Sequence, residues 1–195
     1  MRAECPDWGG RTVVCIASGP SLTAEDCDAV RAAGHPAIVT NSTFRAAPWA
    51  SILFGFDSRW WRAHVAEVRS IGFDGRLICA SPISANFGVE TIHNAGWLRV
   101  YPNSGACAVS IAVSAGAARV VLLGFDCAPA PDGRMHWHAD HPPAHGMTNC
   151  ASIRGWPRHF QNVARDAERA GVEVVNASRE TRLRCFRRSE LSAAL

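Results

Sequence analysis

Short apolar runs alternate along the chain with longer, helix-like segments. The apolar runs are rich in Val, Ile and Leu and have the length of buried strands; they span Thr12 to Ala17, Pro36 to Thr40, Ser51 to Phe56, Arg76 to Ala80, Leu98 to Tyr101, Val120 to Phe125 and Val172 to Asn176. The helix-like segments span Thr23 to Ala33, Arg59 to Ser70, Gly105 to Ala117 and Pro157 to Ala170. This alternation predicts an α/β protein with a doubly wound, mostly parallel sheet whose two faces are both covered by helices.

Glycines mark the ends of several predicted helices. Gly34, Gly72 and Gly171 stand where helix C-terminal caps belong. The 195 residues contain no repeat, linker or low-complexity segment, and they suffice for one sizeable core. We therefore expect a single domain over residues 1–195, with one long connection at 127–155.

The first strand ends abruptly in the turn Ser18-Gly19-Pro20-Ser21. Glycine and proline favour a tight turn, and Ser21 or Thr23 can cap the helix that follows. Backbone N–H groups at a helix start attract anions, so this turn predicts a site for a phosphate-bearing ligand. A plain strand-to-helix turn remains the alternative.

Polar or small residues also follow the other predicted strands. In open α/β sheets, ligands bind beyond the carboxyl ends of the strands, where these residues would meet. The predicted rim consists of Ser18, Gly19, Pro20, Ser21, Asn41, Asp57, Asn103, Ser104, Gly105, Asp126 and Ser178. Any one of these side chains can be only a helix cap, but together they predict a polar ligand site.

The long connection carries the sequence HWHADHPPAH at positions 136–145, which holds half of the chain's eight histidines. Histidine can act as acid, base or metal ligand near neutral pH. The pattern HxHxDH resembles the ligand motif of the metallo-β-lactamase superfamily, although Pro129, Pro131 and Gly133 precede it here. A divalent metal would be held by His136, His138, Asp140 and His141. The alternative is a surface loop whose histidines form local hydrogen bonds.

Charge, cysteine content and the absence of long apolar stretches bear on the partners and cellular compartment of the protein. A net charge of +3 does not demand a nucleic-acid partner, although residues 179–188 are locally basic. The eight cysteines include no CxxC pair, and Cys15 and Cys79 fall in predicted core strands, which is typical of a reducing compartment. The N-terminus lacks the apolar segment of a signal peptide, and no stretch has the length of a membrane span. We expect a cytoplasmic protein.

Three stretches resemble the bacterial lipooligosaccharide sialyltransferases. These are IASGPSL at 16–22, the segment from Ser104 to Asp126, and VEVVNASRETRLRCF at 172–186. A related Rossmann-like family with the same Gly-Pro-Ser-Leu turn includes archaeal hydroxymethyl-pterin diphosphokinases. Small phage and prophage proteins with an HWHxDH loop also look similar. The resemblance implies a Rossmann-like fold and transfer from a nucleotide-linked donor, such as a nucleotide sugar, without a required cofactor.

The same resemblance implies roles for particular residues. Ser18 to Ser21, Asn41, Ser104 and Gly105 would contact the nucleotide. A loop histidine, one of His138, His141 and His145, would be the base that deprotonates the acceptor hydroxyl.

The chain also departs from that group. Ser18 stands where the sialyltransferases have Asn, and their tyrosine pair has no counterpart, since the single tyrosine is Tyr101. Arg134, a charged histidine or a metal must then stabilise the negative charge that develops on the leaving phosphate.

The sequence leaves three functions open. They are group transfer from a nucleotide-linked donor, a metal-dependent hydrolase or diphosphokinase, and a non-catalytic nucleotide-binding module. The aromatic pair Trp60-Trp61 predicts a core corner, with an acceptor platform or the interface of a homo-oligomer as alternatives.

Overall fold

The structure is a computed structural model that describes residues 1–81, 87–93, 95–138 and 153–195, apart from the Arg154 side chain. The strands are β1 Thr12–Ile16, β2 Ala37–Thr40, β3 Ile52–Gly55, β4 Arg76–Cys79, β5 Glu90–Thr91, β6 Arg119–Leu123, β7 Glu173–Asn176 and β8 Arg187–Arg188. The helices are α1 Ala24–Ala33, α2 Ser58–Ser70, α3 Ser104–Ser114, α4 Trp156–Arg169 and α5 Leu191–Ala194, with short 3₁₀ turns at Asn41–Arg45 and Ile153–Gly155.

All eight strands form one parallel sheet in the order β5-β4-β3-β2-β1-β6-β7-β8. From β1 the chain winds outward through β2 to β5, and α3 then carries it back to β6 on the other side of β1. The strand order therefore reverses between β1 and β6. This is a doubly wound, Rossmann-like α/β fold, as the sequence predicts.

Side chains alternate between two core layers, as expected for a sheet that is buried on both faces. In β1, Val13 and Cys15 pack on the side of α3 and α4, whereas Val14 and Ile16 pack on the side of α1 and α2. These four residues of β1 are all fully buried, so the centre of the sheet is shielded from solvent.

Local signals explain where several helices begin and end. Thr23 caps α1 in a reciprocal capping box with Asp26, and Gly34 closes the same helix with φ of 68°. Gly72 and Gly171 also have left-handed backbones, each just beyond the end of its helix. These positions confirm the predicted helix ends.

The predicted strand Leu98 to Tyr101 is wrong, because this segment is irregular in the structure. Its polar groups bond to α3 and not to a strand: Ser110 Oγ donates to the Arg99 carbonyl oxygen, and the Tyr101 N–H donates to Cys107 Sγ. The two-residue strands β5 and β8 were missed, since their sequences Glu-Thr and Arg-Arg lack an apolar run.

Buried aromatic and sulfur side chains complete the core. Trp60 and Trp61 are both buried on the α1–α2 side, which confirms the predicted core corner. Cys15 and Cys79 are fully buried in the sheet, and burial raises the pKa of the Cys79 thiol to about 11. Within the described ranges, no helix has the length and apolar character that a membrane crossing requires.

Candidate functional site

A small open cleft with a solvent-accessible volume of about 110 Å³ lies at the carboxyl edge of the sheet. It sits above β1 and β6, where the strand order reverses, which is the usual ligand position in doubly wound folds. The polar part of its wall comprises Ser18, Gly19, Pro20, Thr40, Asn41, Asn103, Ser104, Gly105 and His136. The apolar part comprises Ala17, Phe125, Ala128, Met135, Ile153, Trp156 and Phe160, with Gly124 and Cys127 beside them.

The turn after β1 is tied tightly to the end of β6. The Ala17 N–H donates to the Leu123 carbonyl at 2.8 Å, and the Gly19 N–H donates to the Gly124 carbonyl at 2.9 Å. A Cβ atom on Gly19 would lie 2.1 Å from Asp126 Oδ1, so only glycine fits at this approach. The close contact of the two strand ends forms the floor of the cleft.

Asp126 braces this turn from behind the cleft. Its carboxylate accepts hydrogen bonds from the Ser21 N–H at 2.8 Å and from Ser21 Oγ at 2.9 Å. Asp126 is buried, and this desolvation raises its carboxyl pKa even though the bonds from Ser21 oppose the rise. Neither residue belongs to the described cleft wall, so both predicted nucleotide contacts are structural in this geometry.

The start of α1 does not supply the anion site that the sequence suggests. In its capping box the Asp26 N–H donates to Thr23 Oγ1 and the Thr23 N–H donates to Asp26 Oδ2, and the Asp26 carboxylate pairs with Arg179 at 2.7 Å. No residue of α1 is among the described residues around the cleft. A carboxylate already occupies this helix end.

The start of α3 faces the cleft instead. Asn103 caps the helix by accepting from the Ala106 N–H at 2.9 Å, and Ser104 and Gly105 line the wall. Ser104 Oγ accepts from the Phe56 N–H at 3.1 Å and donates to Asn41 Oδ1 at 3.4 Å. The eleven-residue helix thus presents its positive end to the cleft.

Asn41 joins the end of β2 to this helix start. Its backbone is left-handed with φ of 48°, a conformation that asparagine tolerates better than most residues. Its side chain lines the cleft and accepts from Ser104. Uncommon backbone conformations cluster at functional sites, and Asn41 combines one with a position on the cleft wall.

Two other predicted contacts have structural roles. Asp57 caps α2 by accepting from the Arg59 N–H at 2.8 Å. Ser178 is buried, and its Oγ accepts from the Phe125 N–H at 2.8 Å, which ties the chain after β7 to the end of β6. Neither is part of the cleft wall as described.

The first residues of the histidine-rich segment 136–145 reach the cleft. The Trp137 N–H donates to the Ser18 carbonyl at 3.3 Å, which anchors the loop on the turn after β1. The neighbouring His136 lines the cleft, and its ring stacks on that of His138 with centroids 4.9 Å apart. Arg134 is exposed and pairs with Asp132 at 2.7 Å, outside the described wall.

The other predicted catalytic and metal-binding residues of this loop lie outside the described residues. His141 and His145, two of the proposed bases, lie there, as does Asp140 of the proposed metal site. Among the residues that are described, no group of three metal-ligating side chains occurs. The metal site therefore stays a prediction.

Sequence reasoning missed the apolar wall and the position of His136 at the cleft. Phe125 and Phe160 meet edge to face at 5.7 Å beside Gly105, and Met135, Ile153 and Trp156 extend the surface. Phe125 ends the predicted strand Val120 to Phe125, and the sequence gives Trp156 no clear assignment. Only the placement of the long connection brings them to one surface.

No protein-family model matches the chain, and no curated protein matches it. Among solved structures, it is similar to an uncharacterized protein from Mycobacterium paratuberculosis, at 14% identity over 98% of this chain and 78% of that one, with a TM-score of 0.35. It is also similar to UDP-glucose 4-epimerase from Brucella ovis, at 13% identity over 87% of this chain and 51% of that one, with a TM-score of 0.33.

A Serratia marcescens short-chain dehydrogenase/reductase mutant is a further neighbour, at 14% identity over 86% of this chain and 73% of that chain, with a TM-score of 0.27. The chain spans about half the length of the epimerase, 51%. At such low TM-scores, these likenesses carry no argument about function. The fold class stands on the strand order itself.

Proposed function

We propose that the cleft binds a nucleotide or nucleotide-linked donor. The observation that supports this most is the meeting of the Ser18–Pro20 turn, Asn41 and the start of α3 at the point where the strand order reverses. A phosphate would accept hydrogen bonds from the backbone N–H groups of Ser104 and Gly105 at the start of α3. The apolar side chains of Met135, Ile153 and Trp156 on the wall suit contact with a nucleobase or sugar ring.

We further propose that the protein transfers a group from this donor, with His136 as the base. His136 is the titratable imidazole on the described cleft wall. Its ring nitrogen would take the proton of an acceptor hydroxyl while the oxygen forms a bond to the donor carbon. The bond from that carbon to the phosphate oxygen would break, and its electron pair would leave on the phosphate, facing the positive end of α3. The choice of a sugar as the transferred group rests on the resemblance to sialyltransferases.

Ligand-dependent thermal unfolding tests the binding site. CMP, UMP, GMP and AMP, their diphosphates and the corresponding nucleotide sugars are added in turn, each with and without EDTA. A ligand at about 100 times its dissociation constant adds about 2.7 kcal/mol to the free energy of unfolding and raises the melting temperature. If no nucleotide raises it, the proposed site is refuted. If a shift appears only without EDTA, the metal-dependent alternative gains support.

His136→Ala tests the proposed base once a donor is known. A general base contributes roughly 10²–10⁴-fold, so turnover falls by that factor while the melting temperature and donor affinity stay unchanged. His93→Ala is the matched control, because His93 is an exposed histidine away from the described cleft. Equal turnover in the two variants would contradict a catalytic role for His136.

A further inference from the structure

The cleft continues into a second groove at the same edge of the sheet. Cys127, Met135 and Ile153 line both depressions, so the two lie side by side. The far side of this second groove is formed by Thr181, Arg182 and Arg184. These residues lie in the connection between β7 and β8.

This connection is held firmly against the end of β6. The Arg182 N–H donates to the Asp126 carbonyl at 2.8 Å, and Thr181 Oγ1 donates to the Phe125 carbonyl at 2.7 Å. Leu183 is buried between the two arginines and anchors the backbone in the core. Arg182 and Arg184 are both exposed, and because they are two residues apart they reach the same groove.

The groove presents positive charge without a matching carboxylate. Its described lining contains two arginines and no Asp or Glu. Two arginines near this connection do have such partners, since Arg179 pairs with Asp26 and Arg187 pairs with Glu173. Across the described part of the chain, neither Arg182 nor Arg184 has a carboxylate within ion-pair distance. Two guanidinium groups on a rigid backbone favour an oxyanion ligand.

We propose that this groove is an oxyanion subsite in which Arg182 and Arg184 hold a carboxylate or phosphate next to the nucleotide. The proposal rests on the proposed function, since it names the charge carried by the ligand that extends out of the cleft. That anion belongs either to the distal phosphates of the nucleotide or to an acidic acceptor. Both sources share the same chemistry, and titrations separate them.

The test compares two double variants. Arg182→Gln/Arg184→Gln removes both arginines of the groove, and Arg31→Gln/Arg62→Gln is the control. The control pair removes the same net charge from exposed positions on α1 and α2, away from both grooves. Isothermal titration calorimetry follows a nucleoside monophosphate, its diphosphate and its triphosphate. D-glucuronate, with neutral D-glucose for comparison, is then titrated into nucleotide-saturated protein. Inorganic tripolyphosphate is titrated into the protein without nucleotide.

If the nucleotide supplies the anion, the di- and triphosphate bind more tightly than the monophosphate in the wild type and the control. The Arg182→Gln/Arg184→Gln variant then loses about tenfold in affinity, or about 1.4 kcal/mol, for the longer phosphates only. If an acceptor supplies it, glucuronate binds and glucose does not, and the same variant loses that binding while its nucleotide affinity is unchanged.

Failure of the subsite differs from failure of the nucleotide site. If the variant matches the control for every ligand, including tripolyphosphate, the subsite is refuted even where nucleotides bind. If nucleotides fail to bind but tripolyphosphate binds and is weakened only by Arg182→Gln/Arg184→Gln, the proposed function is refuted and the oxyanion subsite stands. Raised salt should weaken the tripolyphosphate interaction, because exposed charges are screened.

Discussion

Gly124 allows the ends of β1 and β6 to approach each other at the floor of the cleft. Its φ is 70°, and a Cβ atom there would lie 2.4 Å from the Ala17 carbonyl oxygen. Both the left-handed backbone and the close contact therefore require glycine. The hydrogen bond from the Gly19 N–H to the Gly124 carbonyl depends on this arrangement.

Gly124→Ala should destabilise the protein more than Gly10→Ala. Gly10 has nearly the same φ, 71°, but none of its described neighbours has an atom within 4 Å of the position that a Cβ would take. Left-handed alanine costs roughly 1–2 kcal/mol, so Gly10→Ala should lose about that much free energy of unfolding. Gly124→Ala adds a clash with backbone and should lose more.

Urea unfolding of the two variants and the wild type measures this difference. The comparison separates backbone strain from steric conflict, because only the second differs between the two glycines. Equal losses would show that the β1 and β6 ends can move apart at no cost, which would contradict a rigid cleft floor.

Among the elements, the irregular segment before α3 is a structural tie and not a strand. Tyr101 is buried, and its hydroxyl donates to the Asp166 carboxylate on α4. Arg99 pairs with the same carboxylate at 2.9 Å. The hydrogen bond from Tyr101, followed by the charge of Arg99, lowers the pKa of Asp166 despite partial desolvation. The segment thus connects α3 to α4, the helices on one face of the sheet.

Tyr101→Phe should remove about 1–3 kcal/mol of stability near neutral pH, since the lost bond is to a charged group. A carboxyl whose pKa is lower in the folded state contributes stability above its unfolded pKa, and this is lost as the pH falls through its folded pKa. The stability difference between wild type and Tyr101→Phe should therefore shrink on acidification.

Denaturant unfolding over a series of pH values checks this prediction. Arg169→Gln is the control, because Arg169 contacts Asp166 only at 3.4 Å and its side chain is 75% exposed. A surface pair of this kind contributes about 0–1 kcal/mol. A Tyr101→Phe difference that grows on acidification would contradict the assigned bond.

Across the whole molecule, stability should be greatest around β1. This strand lies between β2 and β6 with helices on both faces, and its residues from Val13 to Ile16 are fully buried. β5 and β8 are two-residue edge strands with polar or exposed side chains. Edge elements open by local fluctuations, whereas central strands exchange only on larger unfolding.

Hydrogen–deuterium exchange followed by mass spectrometry checks this distribution. Peptides covering β1, β2 and β6 should exchange slowest, and those covering β5 and β8 should exchange much faster. Nucleotide binding should add protection at the Ser18–Pro20 turn and the start of α3. Equal protection of β8 and β1 from exchange would contradict the expectation that central strands are more stable than edge strands.

Much of the fold follows directly from local sequence. The runs that became β1, β2, β3, β4, β6 and β7 are apolar over several residues, and four helices begin and end within a few residues of their predicted limits. Leu98 to Tyr101 misled because its apolar residues do not form a buried strand: Tyr101 is buried, whereas Val100 is 45% exposed. β5 and β8 pair through backbone groups, to which their side chains give no clue.

The candidate site was predictable in part. Ser18, Gly19, Pro20, Asn41, Asn103, Ser104 and Gly105 line the cleft as the rim argument expects. Ser21, Asp57, Asp126 and Ser178 also follow strands, but each satisfies a nearby backbone or side-chain group. A polar residue at a strand end can bond either to a ligand or to the protein, and sequence alone does not distinguish these.

The sequence by itself determined six of the eight described strands and four of the five described helices in their order, the two-faced burial of the sheet and the edge at which the cleft lies. These properties depend on apolar runs, glycine and capping residues, whose effects are local. Only the tertiary structure decided that α3 and not α1 faces the cleft, that His136 reaches it, and that Arg182 and Arg184 share an adjoining groove. These outcomes depend on which distant segments meet, because a helix end or a charged side chain can reach a ligand only where the fold places it at the surface of a cleft or groove.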